Sequence, residues 1–180
     1  MSKLPSLLIA EQIELFDVHL VRPEPLPTPA TSKARHEPKG SVYDLAKFFD
    51  VINRTVFKGA LEPAVLRWSR NRWHLTLGLC DVKKRVITIN RALDDARMPE
   101  MVVAAIVHHE MLHLYFGVSE GPAGQQRYHT PQFRTAERRF PAYAESEKWI
   151  ADNWPLRGRP ATRRRSEEHS FLAYLALMYS

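Results

Sequence analysis

Apolar positions along the chain follow two different rhythms. Val42, Leu45, Phe48/Phe49, Ile52 and Val56 recur at helical spacing. They predict a helix opening at Ser41, where Asp44 three residues on completes a capping-box pattern, and closing at Lys58-Gly59. Three segments of strand character follow. AVLRWS (64–69) is rich in β-formers. HLTLGLC (74–80) sets Leu75, Leu77 and Leu79 on one face, and RVITIN (85–90) alternates less cleanly. Asp81 to Lys84 predicts a hairpin turn between the last two. Residues 91–98 form a connector with room for a helical turn. The rhythm then gives way to an unbroken apolar stretch, PEMVVAAIVHHEMLHLYFG (99–117), framed by Pro99 and Gly117. Proline suits a first helical turn and glycine the position just past the end. An exposed helix does not carry apolar residues on all sides, so this one is predicted to be buried.

Beyond Gly117 a polar loop, SEGPAGQQRY, leads to His129-Thr130-Pro131-Gln132-Phe133. Thr130 and Pro131 are a good N-cap and first residue, which holds His129 at the mouth of a new helix. A further helix, AYAESEKWIADNW, runs to Pro155, and SFLAYLALMYS predicts a short helix with Phe171, Leu172, Leu175 and Met178 inward. At the other end, Pro23, Pro25, Pro27, Pro29 and Pro38 predict an extended linker, since proline at alternate positions suits neither helix nor central strand. The apolar patch before it (Leu7, Leu8, Ile9, Ile13, Leu15, Phe16) has no assigned place. The expected organisation is an N-terminal segment and linker over 1–40, one domain over 41–155 and an arginine-rich tail with a short apolar segment over 156–180.

Polar groups inside an apolar helix are costly unless they have partners. Here His108, His109, Glu110 and His113 lie together, and three of them spell H-E-x-x-H. Residues four apart stand about 40° apart around the axis and roughly 6 Å along it. His109 and His113 therefore share a face and are placed to hold one Zn²⁺. Glu110 lies to the side, where it serves as a base toward water instead of filling a coordination position. His108 is out of register and is assigned to packing or to a hydrogen bond behind the ligands. A catalytic zinc needs a third protein ligand and one open position. Gly at 116 and His at 119 would continue one known pattern, but the chain has Phe116 and Ser119. His129, fixed at a helix start, is the preferred third ligand. Glu137, Glu145 and Glu147 are the alternatives.

Composition narrows the setting. The single cysteine, Cys80, excludes an internal disulfide and a cysteine-built zinc ribbon and fits a reducing compartment. No uncharged apolar stretch reaches the roughly 18 residues of a membrane span. The early LPSLLIA is short, soon followed by acids, and does not read as a signal peptide. A cytoplasmic or nucleoid-associated protein is expected. A net charge of +6 permits an acidic partner.

FFDVINRTVFKGAL, AVLRWS, LGLC, VITIN, HHEMLHLYFG and YHTPQF, in that order, resemble the SprT-like zinc metalloprotease family over roughly residues 45–150. That family includes Spartan, which degrades proteins crosslinked to DNA. The resemblance implies a zincin-like α+β fold, with a small three-stranded antiparallel sheet packed on helices and H-E-x-x-H on a central helix. It implies one catalytic zinc on His109, His113 and His129, with Glu110 as the catalytic glutamate. Many members carry a cysteine-built ribbon after the core; this chain has an arginine run instead. Arg157, Arg159, Arg163, Arg164 and Arg165, with Arg134, Arg138 and Arg139 and with Trp149 and Trp154, are the candidate contacts to nucleic acid, single-stranded DNA foremost. Arg127 and Tyr128 are candidates for steadying an oxyanion. The expected activity is zinc-dependent endopeptidase action on a protein or peptide substrate, extending to DNA-associated or DNA-crosslinked proteins. Two rivals are a zinc hydrolase that processes one small peptide or partner, and a non-proteolytic DNA-binding module with a structural zinc.

Overall fold

The computed structural model describes residues 37–120, 125–161 and 170–179. The apolar patch before residue 21, the proline-rich linker up to residue 36, and Arg163, Arg164 and Arg165 lie outside the described residues. Helix α1 spans Leu45–Thr55. Strands β1 (Val65–Trp68), β2 (Gly78–Asp81) and β3 (Val86–Ile89) follow, then a 3₁₀ turn at Arg91–Leu93. The long helix α2 runs Glu100–Phe116. A two-residue ribbon, β4 (Ser119–Glu120) with β5 (Gln126–Arg127), leads to α3 (Pro131–Arg138), α4 (Tyr143–Asn153) and α5 (Phe171–Met178).

Helix α2 is buried on nearly every side, as its apolar run requires, and α1, α3, α4, α5, β2 and β3 all pack on it. Ile106, Val107, Met111 and Leu112 join Phe48, Ile52, Ile87, Ile89 and Leu93 in one core. Pro99 is the residue before the helix and Gly117 closes it at φ 66°, a conformation glycine adopts at little steric cost. Glu100, in the first turn, favours the helix dipole. It also accepts from Ser170 Oγ at 2.9 Å and from Leu172 N at 3.4 Å, which ties α5 to the start of α2. Leu172 and Leu175 of α5 are buried, whereas Met178 is 54% exposed. Met178 was expected to face inward, but as the last residue of the helix it lies beyond the buried Leu175 and stays exposed.

The sheet is mixed, with strand order β1-β3-β2. The hairpin is as expected: β2 and β3 are antiparallel, and Lys84 N donates to Asp81 Oδ1 in the turn. The expectation of an all-antiparallel sheet is corrected at β1, which pairs parallel with β3 from Val65↔Val86 to Trp68↔Ile89. Side-chain alternation is the same in either pairing, so local sequence does not separate them. HLTLGLC is strand only from Gly78. Upstream, the buried Asn90 amide donates to Trp73 O and Thr76 O and accepts from Trp73 N, and these bonds hold the chain as a loop. The start of α1 is corrected too. Asp44, not Ser41, is the N-cap and accepts from Ala46 N, a contact worth about 1 kcal/mol. The amides of Ser41, Val42 and Tyr43 donate instead to the Asp94 carboxylate.

Candidate active site

His109 and His113 leave α2 on one face, one turn apart, and both are buried. His129 stands just before α3, where Thr130 caps the helix by accepting from Phe133 N at 3.2 Å and Pro131 takes the first position. The three Nε2 atoms form a nearly equilateral triangle: 3.2 Å from His113 to His109, 3.3 Å from His129 to His109 and 3.2 Å from His129 to His113. His109 donates its Nδ1 proton to Glu137 Oε1 at 2.6 Å, so its Nε2 presents a lone pair. Lone pairs gathered this closely repel unless a cation lies among them. Ligand nitrogens about 2.0–2.1 Å from a tetrahedral zinc stand about 3.3–3.4 Å from one another. The donor set and its spacing therefore fit a metal ion, and the three residues are close enough to share one.

Two further groups shape the cluster. Phe133, fully buried, packs its ring on all three imidazoles, with centroids 5.1 Å from His109 and 4.8 Å from His113 and His129. Glu137, one turn later on α3, fixes the His109 ring from behind. Glu137 is thus a partner of a ligand and not itself the third ligand that the sequence left open. Glu145 is exposed, and Glu147 lines a small cleft with Glu137, His108 and Tyr143. Burial, then Glu137, pushes the Glu147 carboxyl up to about 7. Removing the acceptor behind a ligating imidazole typically lowers metal affinity by about 10–100-fold. Glu137→Ala is expected to weaken metal binding by that factor in chelator competition, with Glu137→Gln restoring part of the loss.

The SprT-like family model matches residues 45–148, more than half of the 180-residue chain. The chain belongs to the SprT-like family. No curated protein and no solved structure matches it. Three converging imidazoles, two of them from H-E-x-x-H, together with this membership make the site that of a zincin-type metalloprotease.

The SprT-like site opens into a cavity of about 510 Å³ lined by β2, the β5–α3 segment and the α2 residues Glu110 and His113. Glu110 is 1% exposed, and its Oε2 has no hydrogen-bond partner among the described residues. Burial, then Glu137, pushes its carboxyl up to about 8; a cation on the imidazoles draws it back down. Gly78 of β2 lies directly against it. Cys80 also lines the cavity, and burial followed by Glu110 and Asp81 raises its thiol above the usual range. It therefore presents a neutral thiol. Arg127 and Tyr128 reach the cavity wall, where the Tyr128 hydroxyl donates to Gln126 Oε1 at 2.7 Å. Arg157 and Arg159 are exposed and stand apart from the cavity lining. No helix among the described residues is long and apolar enough to cross a membrane.

His108 packs, as its register predicted. Its ring stacks on Phe140 at 4.3 Å and tilts against Phe57. Burial, and secondarily His109, lowers its pKa from 6.5 to about 3. Below 6.5 the unfolded chain binds a proton here that the folded one refuses, so stability falls from pH 6.5 toward pH 3. In the metal-free protein this residue is expected to contribute a slope of about 1.4 kcal/mol per pH unit. His108→Phe keeps a ring between Phe57 and Phe140 and should flatten the slope in urea unfolding between pH 7 and pH 5.

Gly78, Phe133 and Glu137 carry no motif of their own. Phe133 is the last residue of YHTPQF, and Glu137 entered the sequence reading only as an alternative ligand.

Proposed function

We propose that this SprT-like protein is a zinc-dependent endopeptidase acting on proteins associated with or crosslinked to DNA. The observation that carries the reading is the triangle of Nε2 atoms beside a buried carboxylate at the end of an open cavity. His109, His113 and His129 would hold the zinc, with one position left for solvent. Zinc bound there supplies Lewis acidity, lowering the pKa of water toward about 7 and polarising the scissile carbonyl.

The chain's own residues do the rest. Glu110 takes a proton from the attacking water as the water oxygen adds to the carbonyl carbon. It then delivers a proton to the amide nitrogen as the C–N bond breaks, leaving a carboxylate and an amine. Glu137 keeps the His109 ring in the tautomer and orientation that its role requires. Strand β2 is the sheet edge nearest the site, with Leu79 and Cys80 on the cavity, which supports an extended substrate added beside it.

The nucleic-acid part of the reading draws support from exposed Arg157 and Arg159, from Arg163, Arg164 and Arg165 in the sequence beyond them, and from the net charge of +6. The single cysteine supports a cytoplasmic or nucleoid-associated location. Metal analysis of the purified protein is the test, together with casein cleavage before chelation, after it and after zinc is returned, each with and without single-stranded DNA. One zinc per chain, activity lost and regained with it, and stimulation by DNA that weakens with salt or on deletion of residues 157–165 are expected. Activity indifferent to DNA would turn the reading toward processing of a single partner. Zinc without any cleavage would turn it toward a structural-zinc binding module.

A further inference from the structure

Two arginines line the same cavity as the metal-site imidazoles. Arg127, on β5, and Arg134, in the first turns of α3, both line the cavity that also exposes His113, His129 and Glu110. Arg127 is exposed and Arg134 half-buried. Each sits close in sequence to His129, and each is set by local backbone: Arg127 is in register with Ser119 across the ribbon, and Arg134 N donates to Thr130 O at 3.0 Å. Among the described residues that line the cavity, the only carboxylate is Glu110, buried beside the imidazoles. Glu120 lies across the ribbon from Gln126 and is not in the lining. The intervening Gly121-Pro122-Ala123-Gly124 carries no charge. The rest of the wall is Leu79, Cys80, Gln126, Tyr128, Thr130 and Pro131. Among the described residues that line this cavity, a substrate therefore meets two arginines and a single carboxylate, that of Glu110.

We propose that Arg127 and Arg134 form a carboxylate receptor, so that the site prefers substrates carrying an acidic group close to the scissile bond; this rests on the peptidase reading above. The planar fork of a guanidinium matches a carboxylate bidentately, and a cavity wall strengthens such a pair relative to open water. The carboxylate is supplied by an Asp or Glu side chain or by the substrate's own C-terminus, and both sources meet the same two groups. The role differs from oxyanion stabilisation. A group that steadies the transition state lowers kcat for every peptide alike when removed, whereas a receptor changes the ranking of peptides and acts mainly on KM.

The test uses the full zinc-loaded chain and a set of quenched fluorescent peptides. They differ only in Glu, Gln or Lys, scanned through each position flanking the cleaved bond, and are made as free acids and as amides. At one position the Glu peptide is expected to exceed the Gln peptide by about tenfold in kcat/KM, mostly through KM, with Lys lower still and the preference shrinking as salt is added. Preference for a free acid over its amide assigns the receptor to the chain terminus, and preference for internal Glu assigns it to a side chain. Arg127→Glu and Arg127→Glu/Arg134→Glu should invert the Glu-to-Lys ratio, the single variant serving if the double variant does not fold. Equal cleavage of all three peptides would overturn the proposal. So would variants that lower kcat uniformly with the ratio intact, or inhibition by an oligonucleotide without any Glu-over-Lys preference. Binding of the same peptides to zinc-loaded Glu110→Gln, followed by fluorescence anisotropy, separates this proposal from the peptidase reading. If wild type cuts nothing, the peptidase reading fails. Tighter binding of Glu than Lys peptides then still supports the receptor, and equal binding removes it.

Discussion

On the proposed mechanism, Glu110→Gln is expected to bind the metal as the wild type does and to lose about 10²–10⁴-fold in turnover, the usual contribution of a positioned general base. The substitution is nearly isosteric. It leaves the His109, His113 and His129 triangle and the Glu137 acceptor in place, so the metal has no reason to leave. What disappears is a group able to accept the water's proton. The buried carboxylate is also costly to the fold: Oε2 lies out of solvent with no hydrogen-bond partner among the described residues, and its pKa is pushed up to about 8. A neutral amide relieves part of that cost. Glu110→Gln should therefore be as stable as wild type or more so in the metal-free state, while being inactive. Zinc content, kcat on a peptide substrate and a urea midpoint measured on both proteins check all three statements. Equal turnover would remove Glu110 from the mechanism.

Gly78→Ala is the second large effect, and it acts from a different element. A Cβ built on Gly78 falls 2.3 Å from Glu110 Oε1 and 2.8 Å from its Cδ and Cγ, inside any tolerable contact. Strand β2 is tied to β3 by its ladder, Gly78 opposite Ile89, and Glu110 sits on a helix packed on nearly every side. The carboxylate must move, and a misplacement of about 1 Å at a reacting group costs on the order of 10²-fold in rate. Overpacking at a buried site adds about 1–3 kcal/mol of instability. The expected result is a folded, metal-binding protein with turnover lowered about a hundredfold. A double-mutant cycle with Glu110→Ala tests the cause, since removing the obstructed side chain should recover most of the stability that Gly78→Ala costs. Additive losses would place the strain elsewhere.

Both effects show how unevenly the site was legible. The H-E-x-x-H pair and the place of Glu110 beside it follow from helical spacing alone, because positions 109, 110 and 113 are related by the geometry of a single helix. His129 was reachable because Thr130-Pro131 announces a helix start. Which carboxylate stands behind His109 was not reachable. Glu137 looked like a rival ligand, and only the packing of α3 against α2 brings it to Nδ1. Gly78 shows a third kind of legibility. A glycine within an alternating strand signals a close approach, but not that the approaching group is Glu110, 32 positions away.

The same division runs through the fold. Local sequence determined the elements whose causes are local: the buried helix between Pro99 and Gly117, the Thr130 cap, the Asp81–Lys84 turn and the placing of His108 off the ligand face. Tertiary structure alone decided the parallel pairing of β1 with β3, the loop that Asn90 holds where a strand was expected, the inward limit of α5 and the placing of Arg127 and Arg134 on the wall of the cavity. The physical reason is the range of the forces. Caps, turns and helical faces are set by groups within a few residues of one another. Strand order, ligand orientation and cavity lining depend on which distant surfaces exclude water together, and no local pattern carries that choice.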